Sequence, residues 1–345
     1  MGKLLDRALS NRNMALAWEQ VSANRGAPGP DAISLKRWER KWEENLVKLR
    51  QAALTGTYKP RRPRYVSVPK KGGGFRRLAI LTVNDRVLQR AVLNVLDDLF
   101  EPMFLPCSFG YRVGRSAKGA VEQVLAARDA GRRWVLDADI DECFDSIDHE
   151  LLMGFVMERI GAGEPILTRL LDGWLRAGRS DPRLARGICQ GSVLSPLLCN
   201  VYLHRLDEAL CANPSSTSEP PPSPNPSASL KASFGRGKGQ GEGEGLPHWT
   251  HIRYADDFVV LCSTQAEAQQ ALRCARKTLA GLKLQLERRK TSITHFDAGF
   301  VFLGVHFERD EYSYTWRDKR IAVEGEFTGF LYDFGPAGYE SWNRG

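Results

Sequence analysis

Apolar positions recur at helical spacing through much of the chain. Between 84 and 101, Val87, Leu88, Ala91, Val92, Val95, Leu96 and Leu99 follow a 3.6-residue period and predict a helix. A second helix is expected after Ser116, with Ala120, Val121, Val124 and Leu125 on one face, and a third over 265–286. Asp148 predicts an N-cap for a helix opening at His149. Gln190-Gly191-Ser192 opens a long apolar stretch, Val193 to Leu203, expected as a buried helix. Residues 1–60 look helical except for the loop Asn24–Asp31, rich in Gly and Pro.

Period-two and short apolar runs mark strands. Tyr65–Pro69 and Phe75–Ile80 flank Lys70-Lys71-Gly72-Gly73-Gly74 and predict a hairpin with a basic tip. Trp134–Ile140 is a short apolar run ending in carboxylates, the mark of a buried strand. Ile252–Leu261 is two apolar stretches hinged at Asp256-Asp257, a hairpin with acids at its turn. Lys290–Thr294 and Phe300–Phe307 are expected to close the same sheet. The pattern fails over 212–247, where twenty of 36 positions are Pro, Ser or Gly. Such a segment cannot bury enough apolar surface to offset its ordering entropy and reads as a disordered insertion within one domain.

Composition narrows the class. The 345 residues suffice for two or three modest domains. Mean hydropathy is −0.36, and no apolar run approaches the ~20 residues of a membrane span. Seven cysteines without CxxC spacing argue against a disulfide framework or structural zinc and fit a reduced, cytoplasmic setting. The net charge of +8 suits a polyanionic partner, though basic charge alone does not name one.

The carboxylates carry the sharpest chemistry. Grouped acids repel unless a cation joins them, and hard oxygen ligands suit Mg²⁺. Asp139 ends one apolar strand while Asp256 and Asp257 sit between two others. Solvated turn acids are the competing reading for a bare Asp-Asp pair. Side chains alternate along a strand, so Asp256 and Asp257 would diverge unless a tight turn brought both to one site.

Tyr254-Ala255-Asp256-Asp257, flanked by Arg253 and Phe258, resembles the signature of reverse transcriptases. Other blocks follow that family's order. Asn24–Asp31 is similar to the N-terminal loop of group II intron enzymes, and Val68–Ile80 to their basic fingers hairpin. Phe109–Ser116 resembles a Gly-Tyr-Arg-Pro-Gly-Arg-Ser block with Val113 in place of proline. Asp139–Asp145 resembles the first catalytic strand, and Cys189-Gln190-Gly191 a Pro-Gln-Gly block with cysteine in place of proline. Lys290-Thr291 and Phe302-Leu303-Gly304 resemble the last two motifs of the palm. Within this superfamily, Ile293–Phe300 and Trp316–Arg320 look like CRISPR-associated reverse transcriptases.

The resemblance implies an α+β right-hand polymerase: helical fingers with an N-terminal extension over 1–133, an antiparallel-sheet palm over 134–307, and a short tail or thumb stump over 308–345. It implies an RNA-directed DNA polymerase using two Mg²⁺ ions, or Mn²⁺, held by Asp139, Asp256, Asp257 and the Ile140 carbonyl. Lys70 and Arg76 would meet the incoming triphosphate, Phe144 would screen against a ribose 2′-hydroxyl, and Gln190 and Gly191 would border the template–nucleotide pair. Lys290 would face the leaving pyrophosphate. Arg112, Arg115, Phe302, Leu303 and Gly304 would touch template or primer. Implied partners are an RNA template, a DNA or RNA primer, deoxynucleoside triphosphates and a CRISPR integrase complex, with no membrane. Intron mobility, retron synthesis and phage defence are alternative roles for the same chemistry, and a non-catalytic RNA-binding relic is the alternative from another class.

Overall fold

The protein is described here from a computed structural model covering residues 2–69, 74–179, 181–212, 249–316 and 319–322. The expected insertion at 212–247 lies, apart from Ala212, outside the described residues. The N-terminal block is helical: α1 (Lys3–Ala8), α2 (Asn11–Ala23), α3 (Leu35–Glu39) and α4 (Trp42–Leu54). The loop between α2 and α3 contains the predicted Asn24–Asp31 segment. The hairpin β1 (Arg64–Pro69) and β2 (Phe75–Ile80) follows, then α5 (Val83–Phe100), which packs against α1 and α2. Thr82 caps α5 by accepting a hydrogen bond from the Asp85 amide, which satisfies one of the free N–H groups of the first turn.

Helix α6 (Ala117–Asp129), capped by Ser116, leads to β3 (Trp134–Asp139). Four helices come next: α7 (Cys143–Ser146), α8 (His149–Ile160), α9 (Pro165–Ala177) and α10 (Ser195–Cys211). Asp148 caps α8 through the Leu151 amide at 3.0 Å, as the sequence predicts. Then β4 (Trp249–Tyr254) and β5 (Asp257–Cys262) form the second hairpin, and α11 (Gln265–Gly281) opens on a Thr264–Glu267 capping box. The chain continues through β6 (Ser292–His295), β7 (Phe300–Phe302), β8 (Val305–Glu308), β9 (Glu311–Trp316) and β10 (Lys319–Ala322).

The central sheet has the antiparallel order β4-β5-β3-β6. It is buried on both faces, which explains why its strands read as apolar runs rather than alternating ones. Val135, Ile252, Val259 and Leu261 belong to one core with α6, whereas Leu136, Ala138, Phe258 and Val260 belong to the other with α5 and α8–α11. Pleating then puts Asp137 and Asp139 on the face of Val135, and Asp257 on the face of Val259. The arrangement is the α+β class that the sequence predicts.

One expectation is corrected. Phe300–Phe307 does not close the central sheet; only β6 joins its edge, beside β3. A one-turn 3-10 helix at Phe296–Ala298 and Gly299 at φ +77° turn the chain away. Strands β7–β10 then build a second four-stranded sheet. Its core is aromatic: Phe300 stacks on Phe307 with ring centroids 4.9 Å apart, and Phe296 meets Phe300 edge-on at 5.1 Å. The predicted tail therefore begins with strands β9 and β10, and residues 323–345 lie outside the described residues.

Candidate active site

Antiparallel pairing sets Asp139 directly opposite Asp257 on adjacent strands. Cα atoms so paired lie ~4.5–5.5 Å apart, which brings two acids 118 positions apart in the chain into one site. Tyr254 pairs with Asp257, so the β4–β5 turn has only two central residues, Ala255 and Asp256. Ala255 takes φ +60°, the conformation a tight hairpin needs at its first central position. This turn resolves the divergence expected of neighbouring strand residues, because Asp256 lies in the turn and not in the strand.

The acids sense one another. Burial, then Asp137, Asp139 and Asp256, pushes the Asp257 carboxyl up to about 8. Burial and then Asp139 raise Asp256, and the same two causes lift Asp137 to about 6. The Lys290 ammonium donates to Asp139 Oδ2 and is itself raised by that bond. An acidic group under such mutual repulsion fits divalent cations, and carboxylate oxygens are the donors Mg²⁺ and Mn²⁺ prefer. Ile140 follows Asp139 with its side chain buried and its backbone bridged to Leu286.

A cavity of about 460 Å³ opens beside the turn. Asp256, Phe144, Gln190, Gly191, Arg76 and Tyr111 line it, together with Asn24 and Gly26 of the N-terminal loop. Its volume lies within the usual range for a small-ligand site. Phe144 sits in α7, 8% exposed, with its carbonyl accepting from the Ile188 amide at 2.7 Å. Gln190 accepts the Ala79 amide of β2 on its backbone carbonyl, also at 2.7 Å. Gly191 takes φ +101°, and a Cβ there would lie 2.5 Å from the Ala79 carbonyl, so only glycine lets the two segments meet. Ser192 Oγ donates to Gln89 of α5 at 2.8 Å and ties the same turn to the helical block.

Lys70 is outside the described residues. Arg77 stacks its guanidinium 4.5 Å from the Tyr65 ring centroid, away from Arg76 on the alternate face of β2. Arg112 is a correction. Its side chain is 4% exposed, paired with Glu101 at 2.7 Å and bonded to the Leu105 and Ser108 carbonyls, so its charge is committed to the fold and not presented to a nucleic acid. Arg115 is more open, bonded to the Pro106 carbonyl and 5.3 Å from the Phe109 ring centroid. Phe302 is wholly buried in the aromatic core, while Leu303 and Gly304, at φ +53° and +78°, make the β7–β8 turn.

The sequence reading missed what lies beneath the turn. Arg253 is fully buried and grips both carboxylate oxygens of Asp207, at 2.7 and 2.6 Å. It also donates to Asn200, Ser108 and the Ala255 carbonyl. Burial alone would raise the Asp207 carboxyl, yet the guanidinium and His251 hold it well below the usual range. The available signal was Asp207 itself, an acid among Leu203, Leu206 and Leu210 on α10, which needs a buried cation. Cys107, Asp207 and His251 offer ligand atoms within 4.8 Å of one another, a metal-like grouping among the described residues. Arg253 already neutralises its carboxylate, so the cluster is an ion-pair site in this fold.

Residues 68–307 match the family described as reverse transcriptase (RNA-dependent DNA polymerase). Protein YkfC of Escherichia coli (strain K12) is 34% identical over 287 residues, 80% of this chain and 74% of that protein. The group II intron-encoded protein LtrA of Lactococcus lactis is 36% identical over 171 residues, 48% of this chain but only 28% of that protein. Among solved structures, apo telomerase from Candida tropicalis superposes with a TM-score of 0.50 at 11% identity, covering 80% of this chain and 53% of that one, a likeness of fold.

Proposed function

The chain belongs to the reverse transcriptase family, and on that premise we propose that it extends a primer 3′-hydroxyl with deoxynucleoside triphosphates on an RNA template. The observation that carries this reading is the pairing of Asp139 with Asp257 beside a turn whose Asp256 borders the 460 Å³ cavity. Asp139, Asp256, Asp257 and the Ile140 carbonyl would hold two Mg²⁺ ions, or Mn²⁺. These would neutralise charge on the attacking and leaving oxygens of an in-line displacement.

The chain's own groups do the rest. Gln190 and Gly191 shape the wall where a template–nucleotide pair would rest, held against β2 by the Ala79 bond. Arg76 supplies cationic charge to the same cavity, fit for a triphosphate. Phe144, on the same cavity wall, would screen against a ribose 2′-hydroxyl. Lys290, with a side chain 67% exposed beside Asp139, would neutralise or protonate the leaving pyrophosphate.

Primer extension on an RNA template tests the reading. Wild-type protein should add deoxynucleotides in Mg²⁺ or Mn²⁺, and Asp256→Ala combined with Asp257→Ala should add none. Equal activity of the two proteins would overturn it, and binding without extension by either would favour the RNA-binding relic. For biological role we propose spacer acquisition from RNA with a CRISPR integrase, on the likeness of Ile293–Phe300 and Trp316–Arg320. The LtrA match favours an intron-type role as the second reading. A CRISPR array and integrase beside the gene would support the first, and an intron ribozyme the second.

A further inference from the structure

Two residues near the cavity sit in a backbone region that side-chain-bearing residues avoid. Ala255 has φ +60° and Tyr111 φ +61°. Such conformations are unfavourable and persist only where their surroundings hold them. Ala255 precedes Asp256, and Tyr111 shares the cavity wall with Asp256 and Phe144. Both strained sites are held by the same pair of buried side chains. One Arg253 amino group donates to the Ala255 carbonyl at 2.8 Å and to Asn200 Oδ1 at 3.0 Å. The Asn200 amide then donates to the Gly110 carbonyl, the peptide leading into Tyr111, at 2.8 Å. The two backbones also touch: a Cβ on Gly110 would lie 2.3 Å from the Ala255 amide nitrogen. Asn200 is 1% exposed, Arg253 is fully buried, and Asp207 fixes the far side of the guanidinium.

We propose that Asn200 and Arg253 are positioning residues that lock the Asp256 turn against the Tyr111 loop, so that divalent-cation affinity and nucleotide affinity are set together. The inference deepens the polymerase reading and rests on it for the nature of the nucleotide. Beyond the ion pair, Arg253 bonds the Ala255 carbonyl directly and reaches the Gly110 carbonyl only through Asn200, so the two side chains together join the two loops. Asn200 is the informative position. Its bonds reach both sides, whereas the Arg253–Asp207 pair stays intact without it.

The test uses Asn200→Asp, which keeps an acceptor for Arg253 and removes the donor to Gly110, with Arg253→Lys as a second variant. Mn²⁺ binding is followed by electron paramagnetic resonance, and binding of a mant-labelled deoxynucleotide by fluorescence. Each is expressed per folded chain after thermal melting. Both affinities should fall together by about tenfold, as for partners that orient metal ligands, with site number unchanged. Reduced site number at unchanged affinity would mean a purely structural role and overturn the proposal. Loss of Mn²⁺ affinity with unchanged nucleotide affinity would overturn the coupling. Wild-type primer extension is run in parallel: no extension, with both affinities shifted in the variants, would sink the polymerase reading and leave the lock standing.

Discussion

A ring and a lysine beside the acids make separable predictions. The Ile188 bond fixes the Phe144 backbone, and the residue is 8% exposed where it borders the cavity. Phe144→Ala should leave deoxynucleotide addition measurable and lower discrimination against ribonucleotides by at least ~10-fold, the order a lost steric contact commands. Competing incorporation of deoxy- and ribonucleotides on one template measures this, and unchanged discrimination would remove Phe144 from the site. Lys290→Met should cut turnover by about 10²-fold if it acts as a general acid, with little change in nucleotide affinity. Pre-steady-state kinetics separates the two. At this scale the sequence marked Asp139, Asp256 and Asp257 because their types and neighbours were distinctive. It could not mark Arg253, whose meaning depends on Asp207, 46 residues away. Nor could it show that the Arg112 charge is satisfied by Glu101 and backbone carbonyls.

Elements join where glycine permits. Gly191 lets the turn before α10 press on β2, and Gly191→Ala would set a Cβ 2.5 Å from a backbone oxygen as well as strain a φ of +101°. The turn should be displaced from β2, raising KM for the nucleotide about tenfold or more; the ratio of KM to kcat effects checks this. The second sheet is a different case. Phe302 is fully buried among Phe296, Phe300 and Phe307, so Phe302→Ala should cost ~3–5 kcal/mol of stability, read by denaturant unfolding. The helix starts after Ser116 and Asp148 were legible because those caps are local in sequence, whereas the helix expected over 265–286 ends at Gly281. Sheet membership was not legible. Phe300–Phe307 is an apolar run that fits either sheet, and only the turn at 296–299 assigns it to the second.

The whole molecule carries an electrostatic debt at its centre that bound cations would relieve. Asp257 at about 8 and Asp137 at about 6 take up protons on folding, relative to ~3.9 for an unfolded aspartate. A raised acid lowers stability as pH climbs from the unfolded value toward the folded one, so the metal-free fold should weaken from about pH 4 to about pH 8. Asp207 works in the opposite sense: its depressed carboxyl contributes stability above the unfolded value that is lost on acidification. The cation-free protein should therefore be most stable in the mildly acidic range. Asp97, lifted to about 6 by burial, adds to the decline but lies outside the acidic site. Thermal melting from pH 5 to 8, with chelator or with Mg²⁺, separates these contributions. Mg²⁺ should raise Tm most at the alkaline end, by at least ~2–4 °C, the shift that 1 kcal/mol gives in a chain of this order. Asp257→Asn should flatten the slope between pH 6 and 8 and abolish most of the Mg²⁺ effect, while Asp97→Asn should flatten the lower part and leave the Mg²⁺ effect intact. A Mg²⁺ increment that is the same at both ends of the range, or that survives Asp257→Asn, would show that the cation acts elsewhere on the molecule.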